Sequence, residues 1–157
     1  MITAMLSGRM GPVWLDVPID IQSSNIKRKE FSKLKPEKFK NSNTLDKDIH
    51  RFLNLLNKSK RPVVIVGYGV RLSNSEKLLL DFLKRYKLPI TTTFNSHDLV
   101  DSNNKYYVGR QGTIGDRSGN FVVQNSDLLI ILGSRLNIRQ TGYNFDSFAP
   151  NAKKVMV

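Results

Sequence analysis

Arg61–Gly69, RPVVIVGYG, and Asp127–Gly142, DLLIILGSRLNIRQTG, decide the fold of this chain. Each joins a continuous apolar run to a glycine turn. Such a run suits a strand buried on both faces, as in a parallel sheet. The turn then lies at the strand's carboxyl end, where open α/β sheets bind ligands. The second turn also carries Arg135 and Arg139, whose guanidinium groups suit a phosphate or pyrophosphate.

The flanking segments fit this frame. Leu45, Ile49, Phe52, Leu53 and Leu56 recur on one helical face. Arg61-Pro62 stops that helix, and Val63–Val66 reads as the first strand. Ser73-Asn74-Ser75-Glu76 can form a capping box. It opens a helix with Leu79, Phe82, Leu83 and Tyr86 inward and Lys84, Arg85 and Lys87 at its negative end. Leu88-Pro89 breaks the helix, and Ile90–Phe94 is a second strand. Asn95–Thr113 reads mostly as loop. Gly115–Asn125 is a short helix around Phe121, Val122 and Val123, with Gly119 as its weak point. Asp127–Leu132 is a third strand, Asn137–Ala149 is irregular, and Lys153–Val157 begins a fourth. Strands alternate with helices, so the class is α/β with an open parallel sheet and flanking helices.

The start of the chain reads differently. Met1–Leu6 is helix-compatible, residues 8–12 form a turn, and Val13–Val17 reads as a buried strand closed by Pro18. A lone strand needs neighbours for its backbone groups. Residues 1–22 are therefore expected to end another domain, with an orphan strand. The chain also stops inside its fourth strand, which points to an internal piece of a longer polypeptide, with the compact unit at 45–157.

At 157 residues the chain holds one ordinary domain, with room for a fragment of another. It has no cysteine, which excludes disulfides, thiolate zinc sites and cysteine nucleophiles. No apolar run is long enough to cross a membrane, and the N-terminus lacks signal-peptide character. A cytoplasmic location is the default. The formal charge is +12. Seven basic residues against two acidic ones lie in Ser23–Thr44. That segment has no apolar periodicity, the mark of a solvated linker rather than a nucleic-acid surface. A nucleic-acid binder would be revealed by steeply salt-dependent DNA binding through this segment.

Gly67-Tyr68-Gly69-Val70-Arg71-Leu72 begins like a dinucleotide fingerprint but has Leu72 at the third glycine. The second strand ends in Phe94 and Asn95 rather than an acid, which argues against an ordinary NAD site. The glycines serve either a tight turn or a close ligand approach. Gly109-Arg110-Gln111-Gly112-Thr113 offers glycines and donors to a flat ligand, or is a surface loop. Arg135 lies beside the expected crevice, either on a ligand, or solvated, or paired with an acid. His97 and Asp98 are neighbours without a serine elbow, so no triad is expected. No group of residues has metal-ligand spacing, and no residue stands out as catalytic.

Gly8–Gln22, GRMGPVWLDVPIDIQ, resembles the end of the pyrimidine-binding domain in thiamine-diphosphate enzymes of the acetolactate synthase type. Met10 stands where that segment usually has proline. From about Leu45 the order of helix, RPVVIVGYG, helix, LPITTT and GSRLNIRQTGY is similar to the central domain of the same enzymes. The resemblance covers nearly the whole chain. It implies a three-domain parent acting on a 2-keto acid such as pyruvate, as a homodimer or homotetramer. Thiamine diphosphate and Mg²⁺ would be held by residues outside this chain, and FAD by the central domain in a structural role. The implied domains are 1–22, a linker at 23–44, and a central domain from 45 to 157. The implied flavin positions are Gly67, Gly69, Thr93, Phe94, Gly109, Gln111, Gly112, Gly133, Ser134 and Arg135. Gln111 stands where histidine is common, and Asn137 and Ile138 stand where aspartates are common. The alternative is a stand-alone flavin- or nucleotide-binding module without catalysis.

Overall fold

Val63, Val64, Ile65 and Val66 alternate between two cores, and that alternation fixes how the sheet is covered. Val64 and Val66 join Leu128 and Ile130 on one face; Val63 and Ile65 join Leu129 and Ile131 on the other. All eight are essentially removed from solvent. A strand buried on both faces needs helices on both sides. The computed structural model, which describes residues 1–6, 8, 10–27 and 45–157, supplies them.

The chain divides into two compact units, Met1–Asn43 and Thr44–Val157. In the second unit α3 (Leu45–Lys58) leads to β1 (Pro62–Val66), then α4 (Gly69–Leu72), α5 (Glu76–Tyr86) and β2 (Ile90–Thr92). After a 3₁₀ segment at Phe94–Leu99 come β3 (Tyr107–Arg110), α6 (Arg117–Gln124), β4 (Leu128–Leu132), α7 (Ile138–Thr141) and β5 (Lys153–Met156). The sheet has five strands in the order β3-β2-β1-β4-β5, and every pairing is parallel. The order reverses between β1 and β4, so the crevice of this open sheet lies there.

Leu56, Leu79 and Leu83 pack against one face, with Phe52, Leu55, Phe82 and Tyr86 around them. Val123, Phe148 and Ala149 cover the other. Leu45 and Ile49 remain exposed, so α3 uses its carboxyl half, joined by Leu55. Helix α5 ends on Lys87, whose φ of 53° is left-handed and whose N–H caps the Leu83 carbonyl at 3.0 Å.

Several expectations are corrected. No capping box forms at Ser73–Glu76. The Ser73 hydroxyl donates to the Val70 carbonyl (3.0 Å) at the end of α4, and Glu76 faces Arg71 instead. The Asn95–Thr113 stretch contains β3, which pairs with β2 at the edge of the sheet among the described residues. Its short run, Tyr107-Val108 before Gly109, carries too little apolar pattern to announce it. The second strand ends at Thr92 because Phe94 opens the 3₁₀ turn. The irregular region after β4 holds α7, whose Asn137 side chain accepts from the Arg139 N–H.

In the first unit, α1 (Ile2–Leu6) and α2 (Ile19–Gln22) are helical. The expected strand at Val13–Val17 is absent among the described residues. That segment has no partner strand among the described residues of its unit, and Trp14 is 92% exposed. An apolar run without a neighbour has nothing to pair its backbone. Most of the expected linker lies outside the described residues.

Candidate functional site

Three glycines hold the two decisive turns against each other. The Gly67 N–H donates to the Leu132 carbonyl and the Gly69 N–H to the Gly133 carbonyl, both at 2.8 Å. A Cβ on Gly67 would lie 2.4 Å from the Gly133 oxygen, and one on Gly133 2.5 Å from the Val70 nitrogen. Gly133 also has a φ of +63°. These glycines let backbone approach backbone, and the two amide groups are engaged inside the turn pair.

A second bridge joins the loops after β3 and β4. Thr113 N–H donates to the Arg139 carbonyl at 2.8 Å. Asn120 clamps Gly112, accepting from its N–H (2.8 Å) and donating to its carbonyl (3.1 Å). Gln111 Nε2 donates to Gln140 Oε1 at 3.2 Å, and the Ser134 hydroxyl donates to the same oxygen at 3.0 Å. Gln111 is only 4% exposed. Its Oε1 has no hydrogen-bond partner, alone in this respect among the buried side-chain polar atoms of the described residues.

Helix α6 begins where β3 ends. The Asp116 carboxylate turns back to accept from the Arg110 N–H (2.8 Å) and from its guanidinium (3.3 Å). A Cβ on Gly119 would sit 2.2 Å from the Arg110 oxygen. The glycine that weakens the helix in isolation is what lets it lie on this turn.

Arg135 and Arg139 are exposed, and neither has an acidic partner among the described residues. Arg71 and Arg110 differ. Arg71 binds Asp98 at 2.9 Å and lies 3.8 Å from Glu76. The Arg71 hydrogen bond holds the Asp98 carboxyl below its ordinary range. The Arg110 side-chain and backbone bonds do the same for Asp116.

Other positions separate by direction. Thr93 is buried; its hydroxyl meets the Ser96 hydroxyl at 2.7 Å, and Ser96 in turn donates to the Val66 carbonyl. Phe94 is 60% exposed. Gly109 lies against Asp116 rather than open space. Asp98, beyond β2, is committed to Arg71, and His97 meets the Phe94 carbonyl at 3.2 Å. Both border an open cleft of about 500 Å³ with Tyr107, Arg110 and Asp116. Among the described residues no cluster of three His, Asp or Glu could hold a metal ion.

Sequence reasoning missed Gln140, Asn120 and Asp116. Gln140 stood inside the quoted turn, but no spacing rule marks a residue whose partner comes from another loop.

The comparisons agree with this architecture. A family model described as thiamine pyrophosphate enzyme, central domain, matches residues 49–157. The chain is 34% identical over 151 residues to acetolactate synthase isozyme 2 large subunit of Escherichia coli, covering 95% of this chain and 26% of that protein. It is 36% identical over 152 residues to the acetolactate synthase large subunit of Parasynechococcus marenigrum, covering 95% and 24%. A probable acetolactate synthase large subunit of Methanococcus aeolicus is 32% identical over 156 residues, covering 96% and 26%. The chain thus spans about a quarter of the length of these relatives. With its all-parallel sheet, paired glycine turns and that family match, the chain belongs to the thiamine pyrophosphate enzymes, through their central domain.

Proposed function

We propose that this chain is the central part of a longer enzyme of the acetolactate synthase type. The parent would remove carbon dioxide from a 2-keto acid such as pyruvate and pass the two-carbon unit to an acceptor. Its relatives carry that name and match along nearly the whole chain. Thiamine diphosphate, when bound, supplies the electron sink for the carbanion. We assign its binding, with Mg²⁺, to residues outside this chain. Residues 1–22 would complete a pyrimidine-binding domain, 23–44 would link it, and 45–157 would be the central domain. A homodimer or homotetramer in the cytoplasm is the expected form of the parent.

The role of this chain's own residues is to hold a flavin dinucleotide over the strand ends. The observation that carries this is the pair of exposed arginines, Arg135 and Arg139, in the segment after β4, neither with a carboxylate partner among the described residues. A pyrophosphate is the natural complement of two such guanidinium groups. Exposed Phe94 offers a ring for stacking, and the unpaired Gln111 oxygen offers an acceptor. Gly67, Gly69 and Gly133 would shape the floor rather than donate to the ligand. Flavin absorbance retained by the purified chain, and lost with Arg135→Ala, would support this role.

The second reading is a stand-alone flavin-binding module. It is favoured by one observation: every candidate binding residue lies in the Thr44–Val157 unit. The two readings share the flavin site and differ in the parent. Restoring acetolactate formation by combining this chain with the remaining domains would decide for the enzyme. Turnover of pyruvate by this chain alone, with thiamine diphosphate and Mg²⁺, would contradict both.

A further inference from the structure

The Gln111 side chain is buried, yet its Oε1 is unpaired. Leaving a buried carbonyl without a donor is costly, so such an atom calls for a reason. The reason is found in the direction of the hydrogen bonds around it. Leu136 N–H donates to Ser134 Oγ at 3.2 Å. The Ser134 hydroxyl hydrogen points onward to Gln140 Oε1 at 3.0 Å. Gln140 Oε1 also receives Gln111 Nε2 at 3.2 Å. Each link sets the next. Reversing both carboxamides would turn Gln140 Nε2 toward Ser134, leaving the serine hydroxyl without its acceptor. The chain from Leu136 therefore fixes Gln140, and Gln140 fixes Gln111 with its oxygen turned away.

We propose that Gln140 is a positioning residue that holds the Gln111 carboxamide with its oxygen as an acceptor for an uncharged donor of the bound ligand. This rests on the flavin reading above. The donor is then the imide N–H of the ring or a hydroxyl of the ribityl chain. Gln111 Oε1 is shut off from water. The ligand reaches it when the bridge between Thr113 and Arg139 parts.

The test uses the full chain, with FAD and lumiflavin as probes, and the Gln111→Leu, Gln140→Leu and Gln140→Glu variants. Gln111→Leu removes the unpaired oxygen while Gln140 keeps its Ser134 donor. The ligand-free melting temperature is expected to rise by about 2 °C, while FAD affinity falls about five- to tenfold. Gln140→Leu frees Gln111 to turn and lowers FAD affinity comparably. Gln140→Glu keeps the acceptor for both donors and restores binding of riboflavin, a third probe that carries the ring and the ribityl chain without phosphate charge. Loss of lumiflavin binding in Gln111→Leu assigns the donor to the ring; loss of FAD binding alone assigns it to the ribityl chain. The proposal is overturned if Gln111→Leu lowers the ligand-free melting temperature, leaves FAD affinity unchanged, or if Gln140→Glu behaves as Gln140→Leu does. Should the wild-type chain take up none of the three probes, the flavin reading fails. The ligand-free arm then decides the acceptor: a rise with Gln111→Leu sustains it, and a fall overturns it.

Discussion

Gly69 and Gly133, separated by most of the domain's sequence, are joined by an N–H to carbonyl bond of 2.8 Å. A Cβ on Gly69 would come within 2.7 Å of both Cα and O of Gly133. The turn after β1 and the turn after β4 are thus one unit, and neither tolerates a side chain. The first prediction follows from this contact. Gly133→Ala meets backbone at 2.5 Å and sits at a left-handed φ, so it costs about 2–5 kcal/mol. Gly142→Ala has a left-handed φ but open space around it, so it costs about 1 kcal/mol. Urea denaturation of the two variants separates crowding from conformational strain.

Asp127 ties the start of β4 to the turn before β1. It accepts from the Ser59 hydroxyl and from the Lys60 (2.7 Å) and Arg61 (2.9 Å) amides. Burial pushes its carboxyl up, but the Ser59 hydroxyl and the two amides outweigh that and leave it lowered. A lowered folded-state value means stability that is present above the unfolded carboxyl value, about 3.9. It is lost as pH falls through the folded one. Asp127→Asn presents a donor to those amides and is expected to cost about 1–3 kcal/mol at neutral pH. The gap between wild type and variant should close below about pH 4, as followed by denaturation at a series of pH values.

The ion pair between Arg71 and Asp98 is exposed on both sides. Exposed pairs contribute little to stability and are screened by salt. Asp98→Asn should therefore leave the urea midpoint unchanged, at low and high salt alike. A clear drop in the midpoint would show that this pair, at the mouth of the cleft beside His97, holds the loops after β1 and β2 together.

The buried strands were legible in the sequence because each is a run of apolar residues between glycine, proline or polar stops. Leu128–Leu132 and Pro62–Val66 needed no further information. Strand β3 was not legible: its four residues, Tyr107–Arg110, are half-buried and take their conformation from β2. The reverse error occurred at Val13–Val17, where a good strand pattern lacks a partner among the described residues of its unit. At the candidate site, the sequence marked the glycine turns and Arg135. It could not reveal that Gly67 and Gly69 face Gly133, nor that Gln140 orients Gln111. Those relationships join residues brought together by the crossing between β3 and β4, which no local pattern records.

The central claim is that the strand-end arginines hold a flavin dinucleotide. Fluorescence titration of FAD with the purified chain tests it directly, comparing wild type with Arg135→Ala. The account predicts saturable binding by wild type and a loss of about tenfold or more in the variant. Absence of FAD binding by wild type, or equal binding by both proteins, would contradict it.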